Sequence, residues 1–129
     1  MKIKDILTAD IQRKTDRIVY IQALNNKLEC IATKRDKSKS NVVVFVYNDN
    51  NEKNWTFNYN TFNSSLNSKV ICAFVCKDDK ELEEYHLISI ADLFSLNNID
   101  INEFIKNKQK NYTFSDLENK YKDNWKIFE

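Results

Sequence analysis

The strongest constraint in the chain is an unbroken apolar run, Val70-Ile71-Cys72-Ala73-Phe74-Val75-Cys76, closed by Lys69 and Lys77. The run is short for a helix and suits a strand. Strand side chains alternate between two faces, so an apolar residue at every position requires cover on both sides. The run therefore predicts a central strand sandwiched between layers. A short buried helix is the competing reading, because periodicity alone does not separate the two.

The chain has 129 residues and contains no glycine and no proline. Asn, Lys and Ile abound while Arg is scarce, the codon signature of an A/T-rich genome. The absence has physical consequences all the same. Turns that need positive φ must use Asn or Asp. A phosphate-binding glycine loop, a dinucleotide fingerprint and a glycine-flanked serine elbow are all excluded.

Read in order, Ile3, Ile6, Leu7 and Ile11 predict a short opening helix that frays before Thr15. Residues 17–24 and 28–33 form a predicted hairpin around Asn25-Asn26-Lys27, and 41–47 is the next strand. Trp55, Phe57 and Tyr59 alternate with polar residues, which predicts a strand with one aromatic face. Phe62 and Leu66 lie in a polar stretch that reads as a loop or a single helical turn. Residues 85–90 form a further strand, and short connections favour antiparallel pairing. After that the period changes. Ser89 with Asp92, Asp100 with Glu103, and Ser115 with Glu118 each resemble a helix start. Leu117, Tyr121, Trp125 and Phe128 mark a last helical face. Strands followed by helices predict an α+β fold in one domain over residues 1–129. The expected sheet is mainly antiparallel with five or six strands, preceded by a short helix and followed by helices gathered at the C-terminal end.

Few constellations carry chemistry. Cys30, Cys72, Cys76 and His86 have the composition of a zinc set. Cys72 and Cys76, however, would lie about 13 Å apart on one strand, too far to share a metal or form a disulfide. They read as core cysteines. His86 reads as a surface or edge residue. The turn Asp78-Asp79-Lys80-Glu81-Leu82-Glu83-Glu84 is rich in acids, lacks the glycine of an EF-hand loop and reads as a solvated hairpin tip. A nuclease of the Asp…Glu-x-Lys type fails on Ala32, which stands where the acid belongs before Lys34, and on the uncharged residues 42–46.

Charge is distributed unevenly. The first 40 residues hold ten Lys/Arg against five Asp/Glu, and the remainder holds ten against fourteen. Such bipolarity suits electrostatic docking. The leading expectation is a non-catalytic intracellular protein-binding module of the inhibitor, immunity or accessory type. The alternative is nucleic-acid binding, with Lys34, Arg35, Lys37 and Lys39 on phosphates and Trp55, Phe57 and Tyr59 as a base-stacking platform. A weaker alternative is a metal-dependent hydrolase using the acidic turn. No catalytic residue, metal ligand or cofactor is assigned. The N-terminus lacks the apolar core of a signal peptide and no run reaches the length of a membrane span, so a soluble cytoplasmic protein is expected. The expected partner is another protein, with a homodimer through a sheet edge left open.

Overall fold

The structure is a computed structural model that describes residues 3–15, 17–21, 29–34, 36, 40–48, 50–62, 70–115 and 119–129. The apolar run is strand β5 (Val70–Lys77), and every residue from Val70 to Cys76 is buried. Its even positions Val70, Cys72, Phe74 and Cys76 enter one core. Its odd positions Ile71, Ala73 and Val75 enter another. The two-sided burial inferred from the sequence is therefore present, and it divides the fold into layers.

Five strands form the main sheet, in the order β1 (Arg17–Ile21), β2 (Glu29–Lys34), β3 (Ser40–Tyr47), β5 and β6 (Glu83–Ser89). β1–β2, β2–β3 and β5–β6 are antiparallel, but β3 and β5 run parallel. Short connections explain the antiparallel pairs. The parallel pair arises because the chain leaves the sheet after β3 to form β4 (Asn54–Phe57) and helix α2 (Tyr59–Phe62) before returning. The sheet is accordingly mixed, and the fold is α+β as expected.

Below the odd face lies helix α1 (Ile3–Lys14), with Leu7 and Ile11 fully buried, together with Phe128 of the C-terminal 3-10 helix (Trp125–Phe128). Above the even face lies a small second sheet. β4 pairs antiparallel with β7 (Tyr112–Ser115), a strand the sequence pattern did not reveal. Trp55 faces Phe114 and Phe57 faces Tyr112 across this pair. Helices α3 (Ile90–Leu96) and α4 (Ile101–Lys106) complete the layer. Their starts follow the sequence reading: the Ser89 side chain accepts from the Asp92 N–H, and the Asp100 side chain accepts from those of Asn102 and Glu103.

The last expected helix does not form as read. Leu117 and Glu118 lie outside the described residues. Segment 121–123 instead lies extended along β6: Leu87 N–H donates to Tyr121 O at 2.9 Å, and Asp123 N–H to Tyr85 O at 2.9 Å. Positive φ at Asn119 and Asp123 interrupts helical continuity, leaving only Trp125–Phe128 coiled. The open edge of β6 offers backbone partners that an isolated helix would forgo.

Turns are built as a chain without glycine requires. Asn98, Asn119 and Asp123 supply positive φ. Asn48 accepts from the Asn50 N–H while its amide donates to the carbonyls of Glu52 and Asn54. Asp78 accepts from the N–H groups of Lys80 and Leu82. The exception is Glu81 at φ 64°, where a side chain with no special left-handed preference occupies the hairpin tip.

A buried polar contact ties α1 to the sheet. Tyr85 donates its hydroxyl to the Asp10 carboxylate at 2.5 Å, and Arg13 pairs with the same carboxylate. Burial, then the Asp10 hydrogen bond, pushes the Tyr85 phenol well above its ordinary range. Tyr85→Phe should lower unfolding stability by about 2 kcal/mol, since a buried carboxylate loses a charge-assisted hydrogen bond. Glu81→Asn should raise it by about 0.5 kcal/mol by relieving left-handed strain. Urea unfolding monitored by circular dichroism checks both values.

Candidate functional site

The β5–β6 hairpin creates a polar cluster inside the upper core. Its register pairs Cys76 with Glu84 and Phe74 with His86. Residues 84 and 86 share a face, and Cys76 is directly opposite the first of them. Three chemistry-bearing side chains thus converge in a region otherwise lined by Phe74, Trp55 and Phe114. His86 Nε2 lies 3.0 Å from Glu84 Oε2, and the Cys76 thiol donates to the same oxygen at 3.5 Å.

The cluster continues outward through two lysines. Lys122 Nζ is 3.1 Å from Glu84 Oε1, and Lys53 Nζ is 3.6 Å from Oε2. Segment 121–123 brings Lys122 into place by pairing with β6; its backbone bridges to His86. Lys53 precedes β4. A surface cavity of about 470 Å³ opens over this point, lined in part by Lys53, Lys77, Glu84 and Lys122. His86 is fully buried, with the Trp55 ring centroid 5.1 Å from its own. Trp55 is itself fixed by its indole N–H, which donates to Val75 O at 2.9 Å.

The electrostatics follow from this geometry. Burial alone would raise the Glu84 carboxyl, but hydrogen bonds from His86, Lys122 and Cys76 and the charge of Lys53 outweigh it, bringing the value to about 2. Burial, then the adjacent carboxylate, pushes the Cys76 thiol up to about 12. Such a thiol is a poor nucleophile at neutral pH. Lys122 is held above its ordinary range by its hydrogen bond to Glu84. Among the described residues, Cys76, Glu84 and His86 are the group able to offer three metal-ligating atoms, all within 4.8 Å of one another.

The structure redistributes the residues singled out by sequence. Trp55 and Phe57 are only 2% and 1% exposed, so they pack the core and cannot stack on bases. Tyr59 is not on the strand: β4 ends at Phe57, and Tyr59 opens α2, half-buried, with the Lys108 ammonium 5.0 Å above its ring. Lys34 is the half-buried last residue of β2, whereas Arg35, Lys37 and Lys39 lie outside the described residues. The three cysteines are buried and none is in a disulfide, as core cysteines should be.

His86 is the largest correction. An apparent surface position becomes an interior one because both the β4–β7 sheet and segment 121–123 cover this part of β6. The acidic turn does not act as a unit either. Asp78 satisfies turn N–H groups, Glu83 pairs with Lys77 at 2.9 Å, and Glu84 points into the core. β3 carries no charged residue, so the Asp…Glu-x-Lys arrangement has no acid there. The signal that was available is arithmetic: a hairpin centred on Lys80 pairs 76 with 84 and 74 with 86.

Comparison with protein families, curated proteins and solved structures finds nothing that matches this chain.

Because the Glu84 carboxyl is depressed in the folded state, its stabilisation is complete above about pH 4.5 and is lost as pH falls through about 2. Glu84→Gln should cost about 2 kcal/mol at neutral pH, discounting for the solvent around both lysines. The gap between the two proteins should narrow across that acid window, as read by urea unfolding at stepped pH.

Proposed function

We propose that this chain is a non-catalytic cytoplasmic protein-binding module of the inhibitor, immunity or accessory type, docking through its α3–α4 end. The observation carrying this reading is the exposure of three large aliphatic side chains there: Leu96 at 52%, Ile101 at 48% and Ile105 at 41%. Ile101 and Ile105 are four residues apart and share a face of α4, while Leu96 ends the preceding helix. Apolar exposure of this kind suits a protein interface.

The groups with reactive potential support the same reading from the opposite side. All three cysteines are buried, and His86 is closed over by Trp55 and segment 121–123. Among the described residues, no helix is long and apolar enough to cross a membrane.

A basic segment adjoining α4 supports an acidic partner. Residues 104–115 include Lys106, Lys108 and Lys110 and no acid. Lys108 and Lys110 lie 5.0 and 5.1 Å above the rings of Tyr59 and Tyr112, which restrains both cations in the segment that follows α4. The surface fits a protein presenting an apolar anchor ringed by carboxylates.

The test is affinity capture from the native host, comparing the natural chain with Ile101→Asp/Ile105→Asp. A stoichiometric partner should be retained by the former and weakened tenfold or more by the double variant, with salt weakening the natural complex. Equal retention by both chains would sink the reading. Concentration-dependent dimerisation abolished by the double variant would instead make a second copy the occupant.

A further inference from the structure

The geometry points to a zinc-binding site formed by Cys76 Sγ, Glu84 Oε2 and His86 Nε2, its fourth position open to the cavity between Lys53 and Lys122. This site is independent of the docking face, which lies on other elements.

Donor set and spacing carry the inference. A thiolate, an imidazole and a carboxylate are the zinc donor types, and three protein ligands leave room for one water. Zinc bonds of about 2.0–2.3 Å in a tetrahedron place donor atoms roughly 3.3–3.8 Å apart. The carboxylate oxygen is 3.0 Å from the imidazole nitrogen and 3.5 Å from the sulfur, and all three atoms lie within 4.8 Å of one another. Small side-chain shifts would reach the metal-bound spacing.

The surroundings divide the labour between the two carboxylate oxygens. Lys122 holds Oε1 at 3.1 Å, which orients the carboxylate and leaves Oε2 turned toward Cys76 and His86. Lys53 approaches Oε2 at 3.6 Å from a side chain 39% exposed, so it can swing into solvent when a cation takes its place. On the apolar side, the Trp55 ring packs tilted against His86, 5.1 Å between centroids, and restricts the imidazole. Binding breaks the Cys76 S–H bond and the imidazole Nε2–H bond and forms Zn–S and Zn–N bonds; the imidazole proton moves to Nδ1 and the thiol proton is released to solvent. A dication held by one thiolate, one carboxylate and a neutral imidazole is then electrically balanced inside the core.

The test uses the full chain, stripped with chelator and exchanged into chelator-free buffer. Calorimetric titration with Zn²⁺ alone should give one equivalent, with affinity at least tenfold weaker in Glu84→Gln. Co²⁺ alone should produce a thiolate-to-cobalt charge-transfer band that Cys76→Ser removes and Cys30→Ser keeps. X-ray absorption of the zinc-loaded natural chain needs no variant and should show one sulfur at about 2.3 Å with nitrogen and oxygen neighbours. The inference is overturned by the absence of stoichiometric binding, by an all-oxygen-and-nitrogen shell, or by a cobalt band that persists in Cys76→Ser.

Discussion

Burial of β5 on both faces is the constraint from which the rest of the architecture follows. A strand that exposes neither face to water cannot sit in a one-layer sheet. Ile71, Ala73 and Val75 demand a cover, supplied by α1 and the C-terminal 3-10 helix. Val70, Cys72, Phe74 and Cys76 demand another, supplied by the β4–β7 sheet with α2, α3 and α4. The excursion between β3 and β5 exists because the second cover must come from somewhere in the chain. The parallel β3–β5 pair is its topological consequence.

Much of this was legible locally. The central strand, the opening helix, the β1–β2 hairpin pairing and the starts of α3 and α4 each rest on a signal confined to one segment: an apolar run, a helical period or a capping side chain. What escaped was non-local. Nothing in Tyr112–Ser115 announces a strand until Trp55 and Phe57 need aromatic partners across from them. Tyr121 and Trp125 have helical spacing, yet the exposed edge of β6 gives 121–123 better backbone partners. The same edge pairing turned His86 from an expected surface residue into an interior one. Propensity yielded wherever a distant segment offered hydrogen bonds or aromatic contact.

The aromatic strand shows why period two is informative about shape and silent about use. Alternation correctly separated Trp55 and Phe57 from Asn54 and Thr56. It did not say whether the aromatic face meets solvent or a core. Phe74 and Phe114 stack at 4.4 Å with Trp55 tilted against both, and that cluster fills the space a nucleobase would need. The large exposed aliphatic side chains among the described residues are Leu82 at the β5–β6 turn and Leu96, Ile101 and Ile105 on α3 and α4, where the pattern indicated only helical contacts.

β6 carries polar groups into both cores, and this bears on how a chain without glycine or proline fixes its register. Tyr85 meets Asp10 on the lower face, while Glu84 and His86 meet Cys76 and Lys122 on the upper one. Apolar residues such as Leu87 and Ile88 would tolerate exchange between faces. A one-residue slip of β6 would turn Glu84 and His86 toward α1 and leave Asp10 without its phenol. Unpaired buried charge costs several kcal/mol, far more than a misplaced aliphatic side chain. The two clusters therefore penalise the slipped pairing from opposite sides at once. Register is set by polar groups that each fit only one partner, in a sheet whose apolar positions are nearly interchangeable.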